Sequence, residues 1–249
     1  MSAHDSADHH QSGAEQIEGE LAERDPDLLD VLDSAARLQE LVPDTVLVGG
    51  SAAALYAGHR ASYDHDHVAT DLRHRFDAIL DALEREGDWV TNRATPGKIV
   101  LGSLGGIESG IRQLIRTTPL ETTLITLPSG QTLTVPTAEE TLRVKAFLIV
   151  KRNQVRDYLD VAALSARYGA GPSARVLCGI DHYYADTRAD GRRVATQLAR
   201  QLADPSPRDT STLERLAEYK ALRSWWHSWN NVVDECQELA RRMTSKEWR

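Results

Sequence analysis

Hydrophobic and polar positions change their spacing along this chain, and the change predicts two regions of different secondary structure. Between Pro26 and about residue 140, short apolar runs and two-residue alternations separated by turns predict strands, with helical stretches between them. After residue 140, apolar residues recur at helical spacing to the end of the chain. The pattern therefore predicts an α+β region, residues 26–140, followed by an all-α region, residues 141–249.

The first 25 residues contain very few of the large apolar side chains that a folded segment needs. Ten acidic side chains and one basic one lie in residues 1–33, so this leader accounts for the net charge of −8 and the remaining chain is close to neutral. Such a composition predicts disorder for residues 1–25, because little apolar surface is available to offset the entropy cost of ordering. We interpret its histidines as part of a solvated tail: His4, His9 and His10.

Composition also excludes several classes of protein. No apolar run is long enough for a membrane span, and the N-terminus has no basic segment followed by an apolar one. The two cysteines, Cys178 and Cys236, are far apart and form no ligand pair. We therefore expect a cytoplasmic protein with no membrane partner and no zinc held by thiolates.

The stretch VLVGGSAAALYAGHRASYDHDHV, residues 46–68, carries the first candidate chemistry. A short apolar run ends in Gly49, Gly50 and Ser51, and a helical stretch follows. Backbone N–H groups at a helix N-terminus suit a phosphate, because the helix dipole favours negative charge there. A Gly-Gly-Ser sequence by itself is more often a plain turn, so the residues that follow it decide the interpretation.

Two aspartates alternate with two histidines in the next predicted strand. Asp64 and Asp66 point to one face of a strand, and His65 and His67 point to the other. The histidines would suit zinc, whereas the carboxylates would suit Mg²⁺, which prefers oxygen ligands. The phosphate turn upstream favours the carboxylates, since two Mg²⁺ ions about 4 Å apart can bridge the attacking and leaving oxygens of a phosphoryl transfer.

A third segment, TLRVKAFLIVKRNQVRDYLDVAAL, combines Lys145 with Asp157 and Asp160. A lysine near a triphosphate would neutralise developing charge. The two aspartates are three residues apart and are neighbours on one side of a helix, but this spacing does not decide which of them reaches a cleft. Structural ion pairs, such as one between Arg156 and Asp160, would also explain this segment.

Together these motifs resemble those of the DNA polymerase β-like nucleotidyltransferases, which join a Gly-Gly/Ser turn to a helix and an Asp-x-Asp pair. The sequence GGSAAALYAGHR before DHD, with Lys145 and RDYLD downstream, is similar to that of the AbiEii-type nucleotidyltransferase toxins of type IV toxin–antitoxin and abortive-infection systems. The resemblance runs from about residue 44 to residue 168. It implies a nucleotidyltransferase core with a mixed β-sheet, residues 26–140, and a helical C-terminal domain, residues 141–249, that completes the cleft.

The resemblance also implies an activity and a set of site residues. Members transfer a nucleoside monophosphate from a nucleoside triphosphate with the help of two Mg²⁺ ions, and members of the toxin group add nucleotides to the 3′ end of transfer RNA. Asp157 is the less favoured alternative to Asp160. The residues carried over by position are Asp64 and Asp66 for the metal ions, Gly49, Gly50 and Ser51 for the triphosphate, and Lys145 and Asp160 beside the phosphates.

Two features depart from the superfamily pattern. Positions 65 and 67 are usually apolar, and buried neutral histidines would satisfy that requirement here. A third metal carboxylate usually lies on a later central strand, but the comparable stretch SGIRQLIRT offers Gln113 and no acid. Glu108 and Glu121 flank this stretch without a clear match.

The sequence therefore predicts a toxin-like, Mg²⁺-dependent nucleotidyltransferase that acts on RNA, with transfer RNA as the acceptor and an antitoxin encoded nearby. Two alternatives stay open. One is a small-molecule nucleotidyltransferase of the antibiotic-modifying kind, and the other is a degenerate domain that binds a nucleotide or a partner without turnover. A basic rim would meet the RNA phosphates, formed by Arg60, Arg73, Lys151, Arg152 and Arg156.

Overall fold

The structure is a computed structural model that describes residues 15–21, 23–184 and 193–245. The chain divides into two units. One unit ends at Thr137, and the other begins at Ala138 and also includes two short segments from earlier in the chain, Ala57–Arg60 and Arg116–Thr118. No helix among the described residues is both long and apolar enough to cross a membrane.

The first unit is built on a mixed β-sheet. Its strands are β1 (Val46–Val48), β2 (Asp64–Ala69), β3 (Trp89–Thr95), β4 (Ile99–Leu104) and β5 (Ile107–Gln113). They pair in the order β1-β2-β5-β4-β3, with β2 and β5 parallel and the other neighbours antiparallel. A separate antiparallel pair is formed by β6 (Thr122–Thr126) and β7 (Thr132–Pro136).

The helices of the first unit are α1 (residues 15–21), α2 (Pro26–Leu41), α3 (Gly49–Ala57) and α4 (Leu72–Arg85). Helices α2 and α4 pack against one face of the five-stranded sheet. Leu38 of α2 and Phe76 of α4 pack in one core with Val100 and Ile111 of the sheet. Helix α2 begins where it does because the Asp25 carboxylate accepts a hydrogen bond from the backbone of Asp27, with a proline in the first turn.

The predicted disorder of the leader does not hold for residues 15–21. This segment is helical, and Ile17 and Leu21 are buried. The two side chains are four residues apart and share one face of the helix, so they supply the apolar contact that composition alone underestimated. Glu18 also accepts a hydrogen bond from the backbone N–H of Thr126. The rest of the leader before residue 15, with its three histidines, lies outside the described residues.

The second unit is helical. Its helices are α5 (Ala138–Arg152), α6 (Val155–Tyr168), α7 (Ala170–Cys178), α8 (Val194–Ala203), α9 (Thr210–Glu214) and α10 (Trp229–Thr244). Helix α6 ends at Tyr168, and the next residue, Gly169, has a φ of +91° that favours glycine. Helix α10 packs against α6, α7 and α8. The predicted fold class, an α+β core with a mixed sheet followed by helices, is confirmed.

Candidate nucleotide-binding site

Strand β2 separates its aspartates from its histidines, as the two-residue alternation predicts. Asp64 and Asp66 are partly exposed, whereas His65 and His67 are buried. The opposite face of the sheet packs against the core between α2 and α4, which includes Ala69 from the same strand. The carboxylates therefore lie on the face of β2 that stays accessible.

Two glycines enclose the carboxylate of Asp66. Gly49 has a φ of +80°, and a Cβ added to it would lie 3.4 Å from Asp66 Oδ2. A Cβ added to Gly110 of β5 would lie 3.0 Å from Asp66 Oδ1 and 2.8 Å from Leu101 Cδ2. Residues without a side chain leave room for the carboxylate at both positions. The glycine turn and Asp66 are thus neighbours in one site.

Ser51 does not direct its hydroxyl toward a ligand. The side chain is buried, and its Oγ donates a hydrogen bond to the carbonyl oxygen of Asp64 at 2.5 Å and contacts Ser62 Oγ at 3.1 Å. These bonds fix the beginning of β2 against α3. The Ser51 hydroxyl is therefore engaged within the protein, whereas backbone N–H groups in the first turn of a helix have no partner within the helix.

The pairing of β5 with β2 brings Glu108 and Arg112 to the face of the aspartates. In this parallel register Glu108 lies beside Asp64, and Arg112 lies beside Val68. Both side chains are exposed. Arg112 Nε lies 3.4 Å from Asp66 Oδ1. The sequence could not assign either residue, because only the pairing register shows which side of β5 faces the same way as Asp66.

The two aspartates fit a magnesium ion that also binds substrate. Mg²⁺ is usually held by one or two carboxylates together with phosphate oxygens and water. Asp64 and Asp66 supply two partly exposed carboxylates on one face. In the described part of the chain no group of three or more His, Cys, Asp and Glu side chains could hold a metal by itself. The donor set therefore suits a metal that arrives with phosphate oxygens.

The two histidines of β2 are neutral packing residues. His65 Nε2 lies 2.8 Å from Ser109 Oγ and 3.1 Å from Ser34 Oγ, and its Nδ1 lies 3.5 Å from His67 Nδ1. Burial lowers the pKa of His65 to about 4 and lowers that of His67 well below its ordinary value. Both rings are therefore uncharged near neutral pH, as their predicted burial requires.

Lys145 and Asp160 meet inside the helical unit. Both side chains are buried, and Lys145 Nζ lies 2.6 Å from Asp160 Oδ2. Burial alone would raise the pKa of Asp160, but the charges of Arg60 and Lys145 outweigh it and hold that pKa well below the usual range. Burial lowers the pKa of Lys145. The two residues that the resemblance places beside the phosphates therefore form a buried ion pair with each other.

Arg60 does not belong to an exposed basic rim. It is buried, with Nε 2.9 Å from Asp160 Oδ1 and Nη2 3.2 Å from Oδ2. His59, which the sequence analysis did not single out, is also buried and places Nε2 2.8 Å from Asp160 Oδ1. A buried carboxylate needs such partners because its charge is otherwise costly to remove from water.

The other residues of the predicted rim differ in exposure. Arg152 is partly buried and makes two hydrogen bonds of 2.6 Å to the buried carboxylate of Asp157. This pair joins the end of α5 to the first turn of α6, so Asp157 has a structural role. The remaining rim residues have exposed side chains: Arg73, Lys151 and Arg156.

The fold is similar to that of a solved nucleotidyltransferase toxin. MenT4, a nucleotidyltransferase toxin from Mycobacterium tuberculosis H37Rv, has a similar structure, with a TM-score of 0.58 at 17% sequence identity. The similarity covers 88% of this chain and 83% of MenT4. At this identity the likeness shows a shared fold and assigns neither an activity nor a substrate. No family model matches the chain.

Sequence similarity leads to a different group of proteins. The chain is 34% identical over 239 residues to heme uptake protein MmpL11 of Mycobacterium tuberculosis H37Rv. It is 31% identical over 227 residues to mycolic acid-containing lipids exporter MmpL11 of Mycolicibacterium smegmatis. These matches cover 84% and 86% of this chain but 22% and 21% of those proteins. The chain therefore spans about a fifth of the length of these relatives.

Proposed function

We propose that this protein is a Mg²⁺-dependent nucleotidyltransferase that moves a nucleoside monophosphate from a nucleoside triphosphate to RNA, at the 3′ end of transfer RNA, and thereby inhibits growth as a toxin. The observation that carries the proposal is the contact between the glycine turn and Asp66, with Gly49 and Gly110 leaving space for the carboxylate. The nucleotidyltransferase fold shared with MenT4 supports it.

In this proposal the reaction takes place on the face of β2. The backbone N–H groups at the start of α3 would bind the phosphates, and Asp64 and Asp66 would hold Mg²⁺, with Glu108 beside Asp64 as a further carboxylate. Bound Mg²⁺ supplies charge stabilisation for an in-line displacement. The acceptor hydroxyl would lose its proton to solvent and its oxygen would bond to the α-phosphorus. The bond from that phosphorus to the bridging oxygen would break, and pyrophosphate would leave.

Lys145 and Asp160 would support this site indirectly. Asp160 contacts His59 and Arg60, which lie between the end of α3 at Ala57 and the start of β2 at Asp64. Fixing this segment restricts the chain that joins the phosphate turn to Asp64. The role suggested by the resemblance, Lys145 at a phosphate, would require the ammonium to leave Asp160.

Three basic side chains of the predicted rim remain exposed and would contact RNA: Arg73 on the first unit, and Lys151 and Arg156 on the second. Their charges would bind RNA phosphates without reading sequence, so the affinity for RNA should fall with added salt. A toxin also requires an inhibitor, and the neighbouring gene is the place to look for a cognate antitoxin.

Labelling of transfer RNA tests the proposal. The full chain is incubated with transfer RNA, Mg²⁺ and each of the four labelled nucleoside triphosphates in turn. Wild type should label the RNA with at least one of them, and Asp66→Asn should reduce labelling by about 100-fold or more. Asp77→Asn, at an exposed position of α4, serves as the matched control and should label as wild type does.

Absence of label with wild type, or equal label with Asp66→Asn, would sink the proposal. Label that appears only when an antibiotic acceptor replaces RNA would support the small-molecule alternative. Growth arrest on expression of wild type, but not of Asp66→Asn, would support the role as a toxin.

A second candidate, binding of a nucleotide without turnover, is favoured by a specific contact. Arg112 lies against Asp66, and no three-residue metal cluster occurs among the residues that the structure describes. In the MmpL11 relatives the matching segment is only a fifth of a longer protein, where a binding domain could serve another module. Metal-dependent binding of a triphosphate without any labelled product would support this candidate.

A further inference from the structure

The sheet face that carries Asp64 and Asp66 stays accessible across three neighbouring strands. Glu108, Gly110 and Arg112 of β5 lie in register with Asp64, Asp66 and Val68 of β2. On β4, Leu101 lies opposite Gly110, and Ile99 lies opposite Arg112. These side chains are partly or fully exposed, apart from the glycine. The face therefore presents three acidic groups and one guanidinium next to the glycine turn: Asp64, Asp66, Glu108 and Arg112.

Arg112 makes a weak, open contact with the carboxylate that is best placed for a metal ion. The distance from Arg112 Nε to Asp66 Oδ1 is 3.4 Å, and the side chains are 49% and 36% exposed. This distance is beyond the usual range of a hydrogen bond, and exposed ion pairs contribute little to stability. The guanidinium can therefore leave Asp66 at little cost.

We propose that Arg112 is a cationic placeholder at Asp66 that makes metal binding depend on the nucleotide. Before the nucleotide binds, the guanidinium offsets the charge of Asp66 and opposes the binding of a divalent cation alone. When a metal–triphosphate complex binds, Asp66 would hold the metal and the Arg112 guanidinium would turn to a phosphate oxygen. The inference rests on the proposed function and adds a residue that binds substrate.

The charges on this face explain the selectivity. A free divalent cation is repelled by Arg112 while Asp66 is shared with it. A nucleoside triphosphate with one divalent cation still carries negative charge, so the same guanidinium attracts the complex. The planar fork of arginine also matches two phosphate oxygens, which gives the displaced side chain a new partner. The same residue thus disfavours the metal alone and favours the metal with its nucleotide.

The first test asks whether Arg112 opposes the binding of a divalent cation alone. Binding of Mn²⁺ to the full chain is measured by electron paramagnetic resonance. Arg112→Gln removes the charge and keeps an extended polar side chain. We expect it to bind Mn²⁺ about three- to tenfold more tightly than wild type, because one repulsive charge near a divalent ion is lost. In an Asp66→Asn background, in which most metal binding is lost, the same substitution should not restore Mn²⁺ binding.

The second test asks whether Arg112 binds a phosphate of the nucleotide. Binding of a non-hydrolysable nucleoside triphosphate in the presence of Mg²⁺ is measured by calorimetry. Arg112→Gln should weaken this binding by about tenfold, since a charge-assisted contact to phosphate is lost. Arg112→Lys keeps the charge without the fork, so it should leave Mn²⁺ affinity near that of wild type and weaken nucleotide binding by less.

A matched control comes from the same sheet face. Arg93 on β3 is exposed and lies in register with Leu101, away from Asp66 in the pairing order. Arg93→Gln removes the same charge from the same face and should change Mn²⁺ and nucleotide affinities by less than about twofold. Circular dichroism of each variant checks that the fold is kept.

The outcomes separate this inference from the proposed function. If wild type binds neither Mn²⁺ nor the nucleotide, the proposed function is wrong and the inference falls with it. If wild type binds both and Arg112→Gln has unchanged or weaker Mn²⁺ affinity, only the inference is wrong. Equal effects of Arg112→Gln and Arg93→Gln would also overturn the inference. They would indicate a general electrostatic effect of positive charge on this sheet face and not a specific role of Arg112.

Discussion

Two arginine–aspartate pairs in this protein contain the same groups and differ in almost every physical respect. Arg60 and Asp160 are buried in the helical unit, where the carboxylate also contacts Lys145 and His59. Arg112 and Asp66 lie on the open face of the sheet, about half exposed and 3.4 Å apart. Both side chains of the first pair are buried away from water, whereas both side chains of the second pair are exposed to it.

The difference shows that burial, and not residue type, decides which charges are available for binding. Removing either partner from the Asp160 network leaves an uncompensated charge in the interior, which costs several kcal/mol. Separating Arg112 from Asp66 costs at most about 1 kcal/mol, because water replaces each partner. The Asp160 network therefore supports the fold, while Asp66 is free to exchange its partner for a ligand.

The largest effect is expected from Asp160→Asn. The substitution keeps the shape of the side chain and removes the charge that compensates Arg60 and Lys145, so the free energy of unfolding should fall by about 3 to 5 kcal/mol. Urea unfolding followed by circular dichroism measures the change. A loss below about 1 kcal/mol would mean that this cluster is no more structural than the pair on the sheet.

A smaller loss of stability is expected when the pH is lowered, because the buried histidines are held neutral in the folded protein. The pKa of His65 is about 4 in the folded protein and 6.5 as its ordinary value. Between these values the unfolded chain takes up a proton that the folded protein does not, so stability is lost as the pH falls from 6.5 toward 4. His65 alone should lower the free energy of unfolding by about 2 kcal/mol between pH 7.5 and pH 5.

Burial also lowers the pKa of His67 and of His59, so both act in the same direction. Urea unfolding at the two pH values measures the total loss. The variant His65→Gln, compared with itself at the two pH values, should show a smaller loss than wild type. An equal loss in the variant would mean that His65 is not held neutral by the fold.

The smallest effect on stability is expected from Asp66→Asn. Because the side chain and its Arg112 partner are exposed, the free energy of unfolding should change by less than about 1 kcal/mol. The same variant should abolish most metal binding and RNA labelling. A large loss of stability would mean that Asp66, like Asp160, mainly supports the fold.

Local pattern predicted the elements of the site better than their partners. The alternation of DHDH placed the aspartates and histidines on opposite faces of β2, because successive side chains of a strand must do so. Pattern could not predict the burial of Arg60, because a basic residue after a helix usually lies in water, and only a carboxylate 100 positions later explains it. The prediction of disorder was wrong for residues 15–21 for a similar reason. Two apolar residues, Ile17 and Leu21, are too few to predict a helix unless their contacts are known.

The sequence by itself determined the order of the motifs, the change from sheet to helices near residue 140 and the face of β2 that carries the carboxylates. These properties follow from short-range periodicity. The tertiary structure decided the rest: it placed Gly49 and Gly110 around Asp66, set Arg112 against that carboxylate and enclosed Lys145 with Asp160. Such contacts join residues that are far apart in the chain, and strand register and burial, which create them, are properties of the packed molecule.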